Sequence, residues 1–119
     1  MFRQDGSIIK KSTEFAIKII KYCDFLTSKK QFVFSNQLLK SGTSIGANVF
    51  EAQYAESRLD FIHKMKIAFK EANETRYWLT LCEKMEGLNV EKDSLNDLNE
   101  IMAILSKIII TSKKNLSQN

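Results

Sequence analysis

Ser41-Gly42-Thr43-Ser44-Ile45-Gly46-Ala47-Asn48-Val49-Phe50-Glu51-Ala52 sets two glycines four residues apart inside a segment that otherwise repeats at helical spacing. Leu38, Gly42, Ile45, Val49 and Ala52 form an apolar stripe with steps of four and three, and Gln37, Ser41, Ser44, Asn48 and Glu51 form a polar ridge that is nearly free of charge. Each glycine costs a helix about 1 kcal/mol relative to alanine. Their retention at this spacing points to a close approach by a neighbouring helix. A phosphate-binding glycine loop needs a strand-to-helix turn, and these glycines lie within a helical pattern.

Outward from this segment the pattern stays helical. The chain has 119 residues, no proline and four glycines, so breakers are scarce. Four segments are predicted, over about 8–28, 35–54, 58–86 and 91–113. The first carries Ile8, Ser12, Phe15, Ile19, Tyr22 and Leu26 on one stripe, with Ile9, Ala16, Ile20 and Cys23 beside it. Ser35 is the expected N-cap of the second. Ser57-Arg58-Leu59-Asp60 reads as a capping box with Asp in the acidic position, and Gly87 suits the left-handed end of the third. The seam of that third segment is Phe61, Met65, Ala68, Ala72, Thr75, Leu79 and Cys82, and the fourth repeats it with Leu95, Leu98, Met102, Leu105 and Ile109. The tail from Lys114 to Asn119 is expected to fray. Short connections between long helices give one domain, residues 1–119, folded as an all-α, up-down-up-down antiparallel four-helix bundle.

Composition narrows the function. Hydrophobic content of 44%, charged content of 27% and a net charge of +4 describe a globular chain with a mild basic excess. Cys23 and Cys82 lie in apolar helical patterns without ligand spacing, so buried thiols in a reducing, cytoplasmic setting are expected. Residues 1–6 show no apolar run with a cleavage site, and no apolar segment is long enough for a bilayer, so no membrane role is expected.

Catalysis finds few candidates. Asp60 and His63 imitate one Glu-x-x-His pair of a di-iron bundle, but such a site needs two copies and two further glutamates, and His63 is the only histidine. A Ser-His-Asp or Cys-His nucleophile would have to use that same residue. The chain is therefore read as non-enzymatic, with no metal and no cofactor.

Three surface features remain. Ser44, Asn48 and Glu51, with Glu74 across on the third helix, are candidates for a polar network between helices or between subunits. Lys10, Lys11, Lys18, Lys21, Lys29 and Lys30 form a basic edge followed by Phe32 and Phe34, which suits a phosphate backbone with stacked bases, although a solvated lysine face is the commoner origin of such a run. Ile67, Trp78, Leu81 and Met85, and Ile101, Ile104 and Ile108, are second apolar strips beyond the bundle seams. They are candidates for an oligomer interface, or for a wide stripe absorbed by one well-filled core.

The Ser-Ile-x-x-Asn-x-x-Glu pattern at Ser44, Ile45, Asn48 and Glu51, with Asp60-Phe61-Ile62 and the segment from Ile67-Ala68 to Glu74, resembles the bacterial four-helix-bundle family encoded in intervening sequences of 23S ribosomal RNA. The chain carries Gly46-Ala47 where many relatives have Pro-Ser, and Ala52 where they have Gly. The resemblance implies a homopentameric barrel of bundles without known catalytic activity. It extends to the accessory subunits of diversity-generating retroelements, basic pentamers that bind a reverse transcriptase and nucleic acid. Two functions are thus expected: an oligomeric adaptor for RNA or a nucleic-acid-processing protein, or a small-molecule-binding or enzymatic bundle using the polar ridge of the second helix.

Overall fold

In the computed structural model, which describes residues 6–117 and not the side chain of Ser117, four helices run as α1 (Gly6–Ser28), α2 (Phe32–Ala52), α3 (Arg58–Lys84) and α4 (Lys92–Ser117). The leader reading of residues 1–5 and the outermost tail residues, 118 and 119, lie outside the described part. Each helix packs on its neighbours in chain order and α4 closes back on α1. This is the up-down-up-down bundle, drawn out to 52 × 21 × 20 Å.

The connections explain the register. At the end of α1, Lys30 takes a left-handed φ of 59°, Gln31 N donates to Leu26 O at 2.9 Å and Lys30 N to Thr27 O at 2.9 Å. These bonds close a Schellman turn. The chain reverses within three residues, so α2 begins at Phe32 and not at the predicted cap. Gln31 is the cap, with its carbonyl accepting from Ser35 N at 3.0 Å and its side chain uninvolved. Ser35 instead lies buried in the first turn, where its Oγ donates to Cys23 O at 3.2 Å and sits 2.9 Å from Thr27 Oγ1.

The start of α3 follows the expected box. Asp60 N donates to Ser57 Oγ at 3.0 Å, and Asp60 Oδ2 accepts from Glu56 N at 3.1 Å, one residue before the cap. After α3, Gly87 at φ 85° and Asn89 at φ 46° turn the chain, with Leu88 buried between them. Tyr22 Oη ties this turn to α1 by donating to Leu88 O at 2.6 Å. The fourth helix continues through Lys114–Leu116, where the sequence predicts fraying.

Every residue of the α3 seam is buried, as are Leu38, Gly42, Ile45, Val49 and Ala52 of α2. Gly42 allows the closest approach, since a Cβ there would stand 2.7 Å from Ile19 Cγ2. A Cβ at Gly46 would meet Ser12 Oγ at an ordinary contact distance, 3.5 Å. One correction concerns α4. Ile101, assigned to a candidate interface, is 1% exposed, because the buried stripe of α4 runs through Leu98, Ile101, Met102 and Leu105 and places Ile101 inside it. Ile104 and Ile108 also pack on the core from partly buried positions. Of the three α4 residues, Ile101 is thus taken into the single bundle, while Ile104 and Ile108 keep part of their surface exposed.

Candidate functional site

The polar ridge of α2 is mostly satisfied by its own helix. Ser44 Oγ donates to Lys40 O at 2.6 Å, and Asn48 Nδ2 to Ser44 O at 2.8 Å. Glu51 and Glu74 are both exposed. The buried polar tie between α2 and α3 runs one row inward, where Thr75 Oγ1 lies 2.9 Å from Ser41 Oγ and 2.8 Å from Glu71 O. The carbonyl can only accept, so the single Thr75 proton goes to Glu71 O and Ser41 donates to Thr75. Glu71, three residues before Glu74 on α3, is half-buried; burial and then the nearby Glu74 push its carboxyl above the usual range, against Lys40 and Lys70.

The six lysines of the basic edge separate into two groups. Lys11 pairs with Glu100 and Lys18 with Asp97, both at 2.5 Å, across the α1–α4 seam. Their acidic partners hold both ammonium groups above the ordinary lysine range, and the gain is small because the pairs are solvated. Lys10, Lys21, Lys29 and Lys30 are exposed and form no ion pair among the described residues. Lys29 Nζ stands 5.7 Å from the centre of the Phe25 ring, close enough for a cation–π contact. Phe32 is 55% exposed, whereas Phe34 packs edge-on against Trp78.

On α3, Ile67, Trp78 and Leu81 are half-buried, and Met85, just past its end, is 43% exposed. Trp78 is held between Phe34 and Tyr77 in edge-to-face contacts of 6.1 and 5.2 Å, and its indole Nε1 is buried without a partner. The larger apolar exposure is elsewhere. Ile17 and Ile20 of α1, Phe32, Val33, Leu39 and Phe50 of α2, and Tyr54 just after it are all exposed. Phe32, Leu39 and Phe50 are seven and eleven residues apart, which brings them onto one outer row of α2. Asn36, Thr43 and Ala47 fill the row between them. Ile20 lies on the side of α1 opposite Lys11, away from α4 and toward α2.

Sequence reading missed this surface because it counted only the core stripe and the polar ridge of α2. A signal was present: from Phe32 to Ala52 the only charged residues are Lys40 and Glu51. A solvent-facing helix ordinarily carries more.

Among the described residues, chemically reactive groups are not assembled. The Cys23 and Cys82 thiols are free and buried. Burial pushes Cys23 up to about 11, against its hydrogen bond to Ser35, and it raises Cys82 as well. Thiols held protonated in this way are poor nucleophiles. His63 is exposed on α3, and among the described residues no group of three histidine, cysteine or acidic side chains converges as a metal site. Among them, too, no helix is long and apolar enough to cross a membrane.

Fold and surface thus define a class of helical bundle whose distinctive features are packing and exposed faces. By sequence, the chain belongs to the 23S rRNA-intervening sequence protein family, which it matches over residues 4–110. It is also similar to a solved protein of unknown function from the S23 ribosomal protein family of Bacteroides thetaiotaomicron VPI-5482. The two are 47% identical, with a TM-score of 0.79 over 86% of this chain and 97% of that one. No functionally curated protein matches.

Proposed function

We propose that this chain is a non-enzymatic, self-associating adaptor whose copies meet through the outer face of α1 and α2. The observation that carries this reading is the uncharged row Phe32, Leu39 and Phe50, bordered by Ile17 and Ile20 and left in water by the single chain. Exposed apolar rows of this kind favour burial against another surface. In a closed ring this row meets a different face of the next copy, a heterologous contact, and the family resemblance makes a pentamer the expected closed form.

The test compares two paired charge substitutions by solution mass. Leu39→Glu with Phe50→Glu is expected to give a folded monomer of 13.7 kDa, whereas Ile67→Glu with Leu81→Glu on α3 leaves a multiple of that mass. The reverse outcome moves the interface to α3. A monomeric parent protein overturns the reading.

A second reading concerns what the assembly carries. Among the described residues Lys10, Lys21, Lys29 and Lys30 are exposed without acidic partners, and self-association multiplies their field, which favours RNA as cargo. RNA affinity that falls steeply with salt supports it. Absence of RNA binding at low salt removes it.

A further inference from the structure

The corner between the C-terminal half of α1 and the α3–α4 turn holds an open groove of about 470 Å³, inside the roughly 300–1,000 Å³ range of ligand clefts. Its wall on the α1 side is aromatic and basic. Tyr22 and Phe25 stack with ring centres 6.0 Å apart and planes inclined by 23°, and Lys21 shares that wall. The opposite wall comes from the turn and the first residues of α4, with Val90 supplying apolar surface, Asn89 and Ser94 polar groups and Glu91 a carboxylate. The Tyr22 bond to Leu88 O fixes one wall against the other, so the groove is built and does not need to be induced.

We propose that this groove receives one unpaired base of a single-stranded RNA, with the neighbouring phosphates on Lys21 and Lys29. Stacked aromatics offer a base a flat apolar surface, and Asn89 and Ser94 offer its edge hydrogen-bonding partners. Lys29, already placed over Phe25, stands where the strand leaves the groove. The open shape suits one unit of a polymer, whose chain must continue outside. A duplex has its bases stacked and paired, and it reaches the lysines alone. The inference rests on the RNA reading above and adds to it a place and a preference for single strands.

Fluorescence anisotropy with a short labelled oligouridine and a blunt RNA duplex of equal length tests both. Phe25→Leu keeps an apolar side chain at a half-buried position. It is expected to weaken single-strand binding by about tenfold, as loss of one stacked base does, with duplex binding unchanged. Lys10→Gln, on the same helix but away from the groove, is expected to weaken both alike. Single-strand affinity untouched by Phe25→Leu overturns the groove and leaves the RNA reading standing, whereas no binding of either RNA ends both. Photocrosslinking of a 4-thiouridine strand to the unaltered protein gives an independent readout. Crosslinks within residues 21–25 or 89–94 are expected, and crosslinks confined to other segments contradict the proposal.

Discussion

A Cβ on Gly42 would stand 2.7 Å from Cγ2 of Ile19, with Cγ1 and Cβ of the same side chain at 3.1 and 3.2 Å, and Ile19 is itself 1% exposed. Gly42→Ala therefore sets an overpacking cost of about 1–3 kcal/mol against a helix-propensity gain of about 1 kcal/mol. Gly46→Ala meets Ser12 at 3.5 Å and keeps the propensity gain nearly whole. Urea unfolding at one protein concentration should show Gly42→Ala less stable than the parent and Gly46→Ala equally or more stable. Equal stabilisation by both would remove close packing as the reason for Gly42.

The Ser41–Thr75 pair is the buried polar link of α2 to α3. Thr75→Val keeps the shape but leaves the Ser41 hydroxyl unpaired in the core, and should cost about 1–3 kcal/mol. Adding Ser41→Ala removes the orphaned hydroxyl and should recover part of that loss. A double-mutant cycle measures the coupling, and strictly additive effects would show that the two hydroxyls do not depend on each other.

These two contacts also show how far the sequence was legible. Spacing alone located the α3 seam, since a four-three repeat without breakers has only one way to face a core. It placed Ser41 on a polar ridge beside Ser44 and Asn48, because a hydroxyl satisfied in the core and one satisfied by its own helix have the same letter. Ile101 was read as a surplus apolar residue, yet the α4 stripe is wide enough to bury it. The outer row of α2 was overlooked for the converse reason: asparagine, threonine and alanine between Phe32, Leu39 and Phe50 soften an apolar pattern that exposure makes plain.

The buried Cys23 thiol predicts a pH dependence. Its ordinary value is 9.0 and burial raises it to about 11 in the folded chain, so between these values the unfolded chain loses its proton first. The folded state then binds more protons, and stability must fall as pH rises through this window. Cys82 and Tyr22, both raised by burial, add to the same slope. The urea midpoint should be level near neutral pH and decline as the pH rises from 9 toward 11, less steeply in Cys23→Ala. A midpoint rising over pH 9–11 would be incompatible with buried thiols.

Lys11 and Lys18 are held by Glu100 and Asp97, which removes two cations from the basic edge. Glu100→Gln with Asp97→Asn releases both and removes two negative charges. RNA affinity should increase, with a steeper dependence on salt, because more phosphate contacts displace more counterions. An unchanged salt slope would place RNA away from α1.

Self-association through α1 and α2 is tested most directly by sedimentation equilibrium of the unaltered protein across a range of concentrations. A single species at a whole multiple of 13.7 kDa, five-fold for the pentamer, is the predicted result. A mass of 13.7 kDa throughout would contradict it and leave the exposed row of Phe32, Leu39 and Phe50 without the partner proposed for it.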